Sequence, residues 1–319
     1  LHIAAYEGYE ELCIKLIDRG CDLNAKNNSN STPLHLAIRK NYPKLALKLI
    51  CLGADIHAKD NSGYTPLLLA SELRDSELFH KILEFGARTD DIAESGISAL
   101  HLASFKGNIE IINTLLGTGI DINLTDCYGN SALNVAIENN FPEAASLLLD
   151  KGAMINIANK EGKTPLILAI EQNYTELAIR LVELGAEFNI KDSSYFAPLM
   201  IAAIDKNITL VNFLLERGAN PDYLIYPGMR IIDYVREQIG IIEEDDSEDK
   251  ADKADYHHIL SLLESHSASS KSAVEDDDPA KKIAKSPIAS TLRDMESDGK
   301  DFDWLVLDAV LGDISHDHP

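Results

Sequence analysis

Apolar residues fall in the same two places every thirty-three positions along most of the chain. The first is a short run marked by two columns: Leu1, Leu34, Leu67, Leu100, Leu133, Leu166 and Leu199, then Ala4, Ala37, Ala70, Ala103, Ala136, Ala169 and Ala202. Residues three apart share a helix face, so each run predicts a short helix. In the third, Thr65 is placed to cap and Pro66 stands at the first helical position, where a missing N–H costs nothing. Alanine at one site in every period implies that two backbones approach too closely for a larger side chain. The second place is an apolar pair: Leu16-Ile17, Leu49-Ile50, Ile82-Leu83, Leu115-Leu116, Leu148-Leu149, Leu181-Val182 and Leu214-Leu215. Each pair predicts a second helix, stopped by the left-handed residue that Gly20, Gly53, Gly86, Gly119, Gly152, Gly185 or Gly218 supplies. The turn between the helices ends at Gly8, Asn41, Arg74, Gly107, Asn140, Asn173 and Lys206, mostly residues that accept positive φ cheaply. Gly63, Gly96, Gly129 and Gly162 mark a polar, turn-forming finger before the next Thr or Ser. One such unit cannot hide its apolar side alone, and seven in phase predict a stacked, all-α solenoid whose function lies on its surface.

The unit resembles the ankyrin repeat. Thr32-Pro33-Leu34-His35-Leu36-Ala37 matches the family's T-P-L-H-x-A signature in full. Partial matches are Thr65-Pro66-Leu67-Leu68, Ser98-Ala99-Leu100-His101, Ser131-Ala132-Leu133-Asn134, Thr164-Pro165-Leu166-Ile167 and Ala197-Pro198-Leu199-Met200. The resemblance covers residues 1 to roughly 240. It implies a helix–turn–helix plus hairpin-like loop per repeat, stacked into a curved solenoid with a concave binding face, and a hydrogen-bonding role between adjacent loops for His2, His35 and His101 in the signature's fourth position.

Seven repeats are expected over residues 1–224. Residues 225–265 read as a degenerate eighth, capping repeat, with Ile232 in the leucine column and Val235 in the alanine column. Its acidic insertion, 243–255, reads as a solvated loop before a closing helix from Tyr256 to Glu264. A disordered acidic linker is expected over 266–300, where Ser, Ala, Lys, Asp and Pro dominate. Segment 301–314 carries Trp304, Leu307, Leu311 and Ile314 at helical spacing and reads as a short amphipathic docking element ahead of a tail, 315–319. Read as an extended peptide, Trp304-Leu305-Val306-Leu307 resembles the motif that binds ubiquitin-like autophagy modifiers, and packing back on the solenoid is its structural rival.

Charge narrows the partners. The net charge is −23, of which residues 241–319 hold −13, from 21 acidic and 8 basic side chains. Such a balance argues against nucleic acid, whose binding needs lysine and arginine to displace counterions, and favours protein partners with a basic or neutral surface. Solubility alone accounts for much of the charge. Cys13, Cys21, Cys51 and Cys127 show no metal-ligand spacing, which fits a reducing, cytoplasmic compartment. Apolar runs fall short of a membrane span. Leu1 lies inside the first signature, so the natural N-terminus is expected upstream of it.

Candidate chemistry is sparse. The histidines follow the period or lack partners at metal spacing, no phosphate loop or nucleophile elbow is present, and Asp90-Asp91 sits on an exposed loop. No catalytic residue, cofactor, metal or small-molecule substrate is expected. The binding candidates are large or charged residues at positions that the repeat leaves to solvent. Before the signature stand Tyr64, Ile97 and Phe196, with Tyr128 close by; two or three residues past its alanine stand Tyr6, Arg39, Lys40, Leu73, Phe105 and Lys106. Large rigid side chains dominate interface energetics, so a non-catalytic protein-interaction module or adaptor is expected, with Trp304 and Leu307 as a second contact. The rival readings are the substrate-recognition arm of a larger enzyme and an adaptor that recruits machinery through Trp304.

Overall fold

The computed structural model describes residues 1–73, 76–222, 224–226, 229–244 and 250–270, and at 224–226, 243–244, 250–251 and 268–270 the backbone alone. Seven helix pairs follow one another: α1 (His2–Tyr6) with α2 (Glu10–Asp18), α3 (Pro33–Arg39) with α4 (Pro43–Cys51), α5 (Pro66–Ser71) with α6 (Glu77–Glu84), and α7 (Ala99–Lys106) with α8 (Ile109–Gly117). Next come α9 (Ala132–Glu138) with α10 (Pro142–Asp150), α11 (Pro165–Glu171) with α12 (Thr175–Glu183), and α13 (Pro198–Ile204) with α14 (Ile208–Glu216). The first helices touch in an unbroken series from α1 to α13.

The first helices start where the signature places them. Thr65, Ser98, Ser131 and Thr164 each accept, through the side-chain oxygen, the N–H of the residue three positions on. That satisfies one of the N–H groups a helix start leaves without a partner. The leucine column from Leu34 to Leu199 and the whole alanine column are buried. One continuous apolar core therefore runs along the stack. Its size varies locally: Phe79 is fully buried where the neighbouring repeats carry Ala46 and Ile112.

Positive φ recurs at the turn between paired helices, at Gly8, Asn41, Gly107, Asn140, Asn173 and Lys206. Lys206, at φ 55°, shows the fold imposing this conformation on a residue with no preference for it. Glycine has a second reason at 107, where a Cβ would come within 2.5 Å of Phe141 Cγ from the following repeat.

The C-terminal end departs from expectation in three respects. A small antiparallel ribbon, β1 (Leu224–Tyr226) with β2 (Met229–Arg230), opens the segment expected as an eighth repeat. Helix α15 (Ile231–Glu244) takes in residues 243–244 of the expected loop, with Ile232 and Val235 buried in their columns. Helix α16 (Lys250–Ser270) absorbs residues 250–255 of the expected loop and 266–270 of the expected linker. Side chains tie it down: Asp252 pairs with Lys206 at 2.6 Å, Glu264 with Arg236 at 2.8 Å, and Ser267 Oγ donates to Asp222 at 3.1 Å. With Tyr256, Ile259 and Leu263 buried, these contacts outweigh the polar composition on which the loop expectation rested. The rest of the expected linker, the 301–314 segment with Trp304 and Leu307, and the tail lie outside the described residues.

Candidate functional site

The fingers form a hydrogen-bonded ladder. From each finger a backbone N–H donates to a carbonyl of the one before: Asn61 to Ser29, Glu94 to Ser62, Cys127 to Ser95, Lys160 to Tyr128 and Ser193 to Glu161, at 2.8–3.0 Å. Each finger is also braced from inside. A side-chain oxygen of Asn27, Asp60, Asp126, Asn159 or Asp192 accepts two N–H groups, two and four residues on. This local acceptor substitutes for strand pairing in a loop too short for it. Ala93 breaks the column; its finger has a β-bridge between Ile92 and Ser98, as the Asp126 finger has between Thr125 and Ser131.

Histidines join helix to finger. His35 Nδ1 meets the Thr32 cap at 2.8 Å while Nε2 reaches Tyr64 O at 3.0 Å, and His101 repeats this with Ser98 and Asn130 O. His2 reaches Ser31 O at 3.1 Å. Asn134 fills the same slot and donates from Nδ2 to Ile157 O at 3.2 Å. Burial holds the His35 and His101 imidazoles below the ordinary value, with their carbonyl partners opposing it. Both rings are structural.

The rigid fingers and first helices present two variable columns to each other. One precedes the signature: Ser31, Tyr64, Ile97, Asn130, Lys163 and Phe196. The other ends the first helix or follows it: Tyr6, Arg39, Glu72, Phe105, Glu138, Glu171 and Ile204. Between them, over the third to fifth repeats, lies a groove of about 330 Å³. Its apolar walls are Tyr64, Ile97, Leu102, Phe105 and Val135, and its polar lining includes Glu72, Asp126, Asn130 and Glu138.

Most charges on these columns are already matched. Arg39 pairs with Asp60, Lys106 with Glu72 at 3.5 Å, and Lys163 with Glu171 at 3.0 Å. Glu138 has no ion-pair partner among the described residues; its Oε1 meets only Asn159 Nδ2 at the long distance of 3.5 Å. Burial, and then the Glu161 carboxylate, raise its carboxyl above the usual range while Lys163 opposes. Asn130, in the same groove, keeps a buried side-chain oxygen that accepts no hydrogen bond from the protein.

Of the residues expected from sequence, Tyr64, Ile97 and Phe105 come together in this groove. Tyr64, Leu73, Ile97 and Phe196 are partly buried and pack against the core, so part of their surface is structural. Phe105 and Tyr6 are more exposed, each with a lysine over its ring: Lys106 at 4.7 Å and Lys40 at 3.9 Å from the centroid. Tyr128 is 66% exposed at a finger tip, outside the groove lining. Leu73 also stands outside it. Glu72, Glu138 and Asn130 were missed, although they occupy the columns that nominate Phe105 and Tyr64. Aromatic, apolar and basic residues stood out at these positions, and acids and amides were passed over. Tyr195, beside the candidate Phe196, holds φ 68° where four other fingers have glycine, with Lys191 over its ring at 4.1 Å.

Stacked helix pairs with a constant frame and a variable face define a helical repeat scaffold. The family model described as ankyrin repeats (3 copies) matches residues 1–93, 40–126, 67–159, 100–192 and 154–224, and the chain belongs to the ankyrin repeat family. It is similar to the crystal structure of an ankyrin repeat domain from Acinetobacter baumannii, with 32% identity and a TM-score of 0.52 over 58% of this chain and 97% of that one. No curated protein matches it. Ankyrin repeats are generally protein–protein interaction modules, typically non-enzymatic, and imply protein partners. No helix among the described residues is long and apolar enough to cross a membrane, and none of their His, Cys, Asp and Glu side chains form a group that could hold a metal ion.

Proposed function

We propose that this chain is a non-catalytic recognition module that holds a protein partner on the face formed by its first helices and fingers, centred on the groove of Tyr64, Ile97 and Phe105. One observation carries the reading. The frame repeats nearly the same side chains from unit to unit, whereas the two facing columns differ at almost every unit and enclose an apolar groove. Stacking needs none of that variety. Tyr6, Arg39, Lys40, Lys106, Tyr128 and Phe196 extend the contact surface on either side, with rim charges contributing orientation more than affinity. The net charge of −23 favours a partner of basic or neutral surface. Four free cysteines, three of them exposed, support a reducing, cytoplasmic setting.

The test is recovery of partners from a lysate by the wild type and by a Tyr64→Ala/Phe105→Ala/Tyr128→Ala variant. Loss of the wild-type set is expected, since a buried aromatic anchor contributes on the order of 2 kcal/mol. Unchanged recovery refutes this face.

A further inference from the structure

The groove has apolar walls but carries acceptors that the protein satisfies poorly or not at all: Glu138 accepts only a long bond of 3.5 Å from Asn159 among the described residues, and the Asn130 side-chain oxygen accepts none. Glu138 ends α9 in the fifth helix pair, half-buried, and is the charged member of its column that lacks an ion pair among the described residues. Asn130, from the finger of its own repeat, adds a side-chain oxygen that accepts nothing. Asp126 Oδ1 accepts two backbone N–H groups and Glu72 pairs with Lys106 at 3.5 Å, so their charge is partly matched and adds to the negative potential of the groove. Phe105 already carries Lys106 over its ring at 4.7 Å, which shows a cation settled against this wall within the chain itself.

An occupant that satisfies this lining needs several N–H donors, no acceptor, a positive charge and an apolar stem. Arginine has all four, with a planar head that stacks on aromatic rings and a fork that matches a carboxylate. Lysine brings charge and a stem, but its compact, strongly hydrated head does not stack. We infer that the groove between Tyr64 and Glu138 receives an arginine side chain of a partner protein, its stem against Tyr64, Ile97 and Phe105 and its guanidinium on Glu138 and Asn130. This rests on the recognition reading above and narrows it to one chemistry.

The experiment selects phage-displayed random peptides on the full-length chain, then measures binding of the best synthetic peptide by fluorescence anisotropy. The expected result is a consensus with arginine at one fixed position beside apolar residues. Its replacement by glutamine, or Glu138→Gln in the protein, should weaken binding about tenfold or more, as should Tyr64→Ala/Phe105→Ala. Equal affinity with lysine in place of arginine overturns the guanidinium assignment. So does a consensus without arginine, or full affinity in Glu138→Gln. If Tyr64→Ala/Phe105→Ala weakens binding while Glu138→Gln does not, the arginine assignment falls and the recognition face stands. If the selection returns no binder, or only binders indifferent to all three substitutions, both fall.

Discussion

Gly107→Ala tests the stacking frame at a place where conformation and space can be separated. Gly107 has φ 64°, and alanine in the left-handed region costs roughly 1–2 kcal/mol. Its new Cβ would also lie 2.5 Å from Cγ and 2.7 Å from Cε1 of Phe141. Cγ is the atom by which the ring is attached, so turning the ring does not move it away, and overpacking of this kind adds roughly 1–3 kcal/mol. The expected loss is therefore about 2–5 kcal/mol in total. Gly152→Ala is the control: φ is 88° there too, but nothing lies within 4 Å of the added Cβ, so only the conformational cost of about 1–2 kcal/mol applies. Urea unfolding followed by circular dichroism measures both. In a Phe141→Ala background the ring is gone, and the Gly107→Ala penalty should fall to the control value. Equal losses for the two single variants, or an undiminished penalty without the ring, would refute the packing argument.

Two further outcomes follow from the core and the loop contacts. His35 and His101 have depressed values in the folded chain, so their neutral forms add stability above the ordinary value of 6.5 that is lost as pH falls. The unfolded chain takes up protons first, and each histidine removes up to about 1.4 kcal/mol per pH unit until its folded value is reached. Unfolding at about pH 7 and about pH 5.5 should show a drop that His35→Asn/His101→Asn reduces. Asparagine at this position still makes a helix-to-finger bond, as Asn134 does with Ile157 O, and an identical drop in that variant would remove the histidines as its cause. Phe79→Ala should cost about 3–5 kcal/mol by the same unfolding assay, because the helices around this fully buried ring are spaced for it. A loss below about 1 kcal/mol would mean that the stack closes over the void.

The frame was legible because each unit has to satisfy the same neighbours. Leu34, Ala37 and Gly53 recur in every period since a stacked repeat meets the same helix, the same close approach and the same helix stop each time. The histidine bonds were legible for the same reason, through the family's signature. Helix α16 was legible only over 256–264; its polar ends have the composition of loop and linker, and they are helical where Asp252 meets Lys206 and Ser267 meets Asp222. The groove was half legible. Aromatic residues out of place nominated Tyr64 and Phe105, but nothing in the order of residues distinguishes Glu138 from Glu171, two acids in one column.

By itself, then, the sequence determined the period, the two helices, the left-handed positions and the apolar seam, because local conformation and nearest-neighbour burial act at fixed spacing along the chain. Only the folded stack decided which carboxylates meet a lysine and which do not. Lys163 lies 3.0 Å from Glu171 and leaves Glu138 without an ion pair. Such a choice is made by distances of a few ångströms between side chains of neighbouring fingers and helices, and a one-dimensional pattern does not record them.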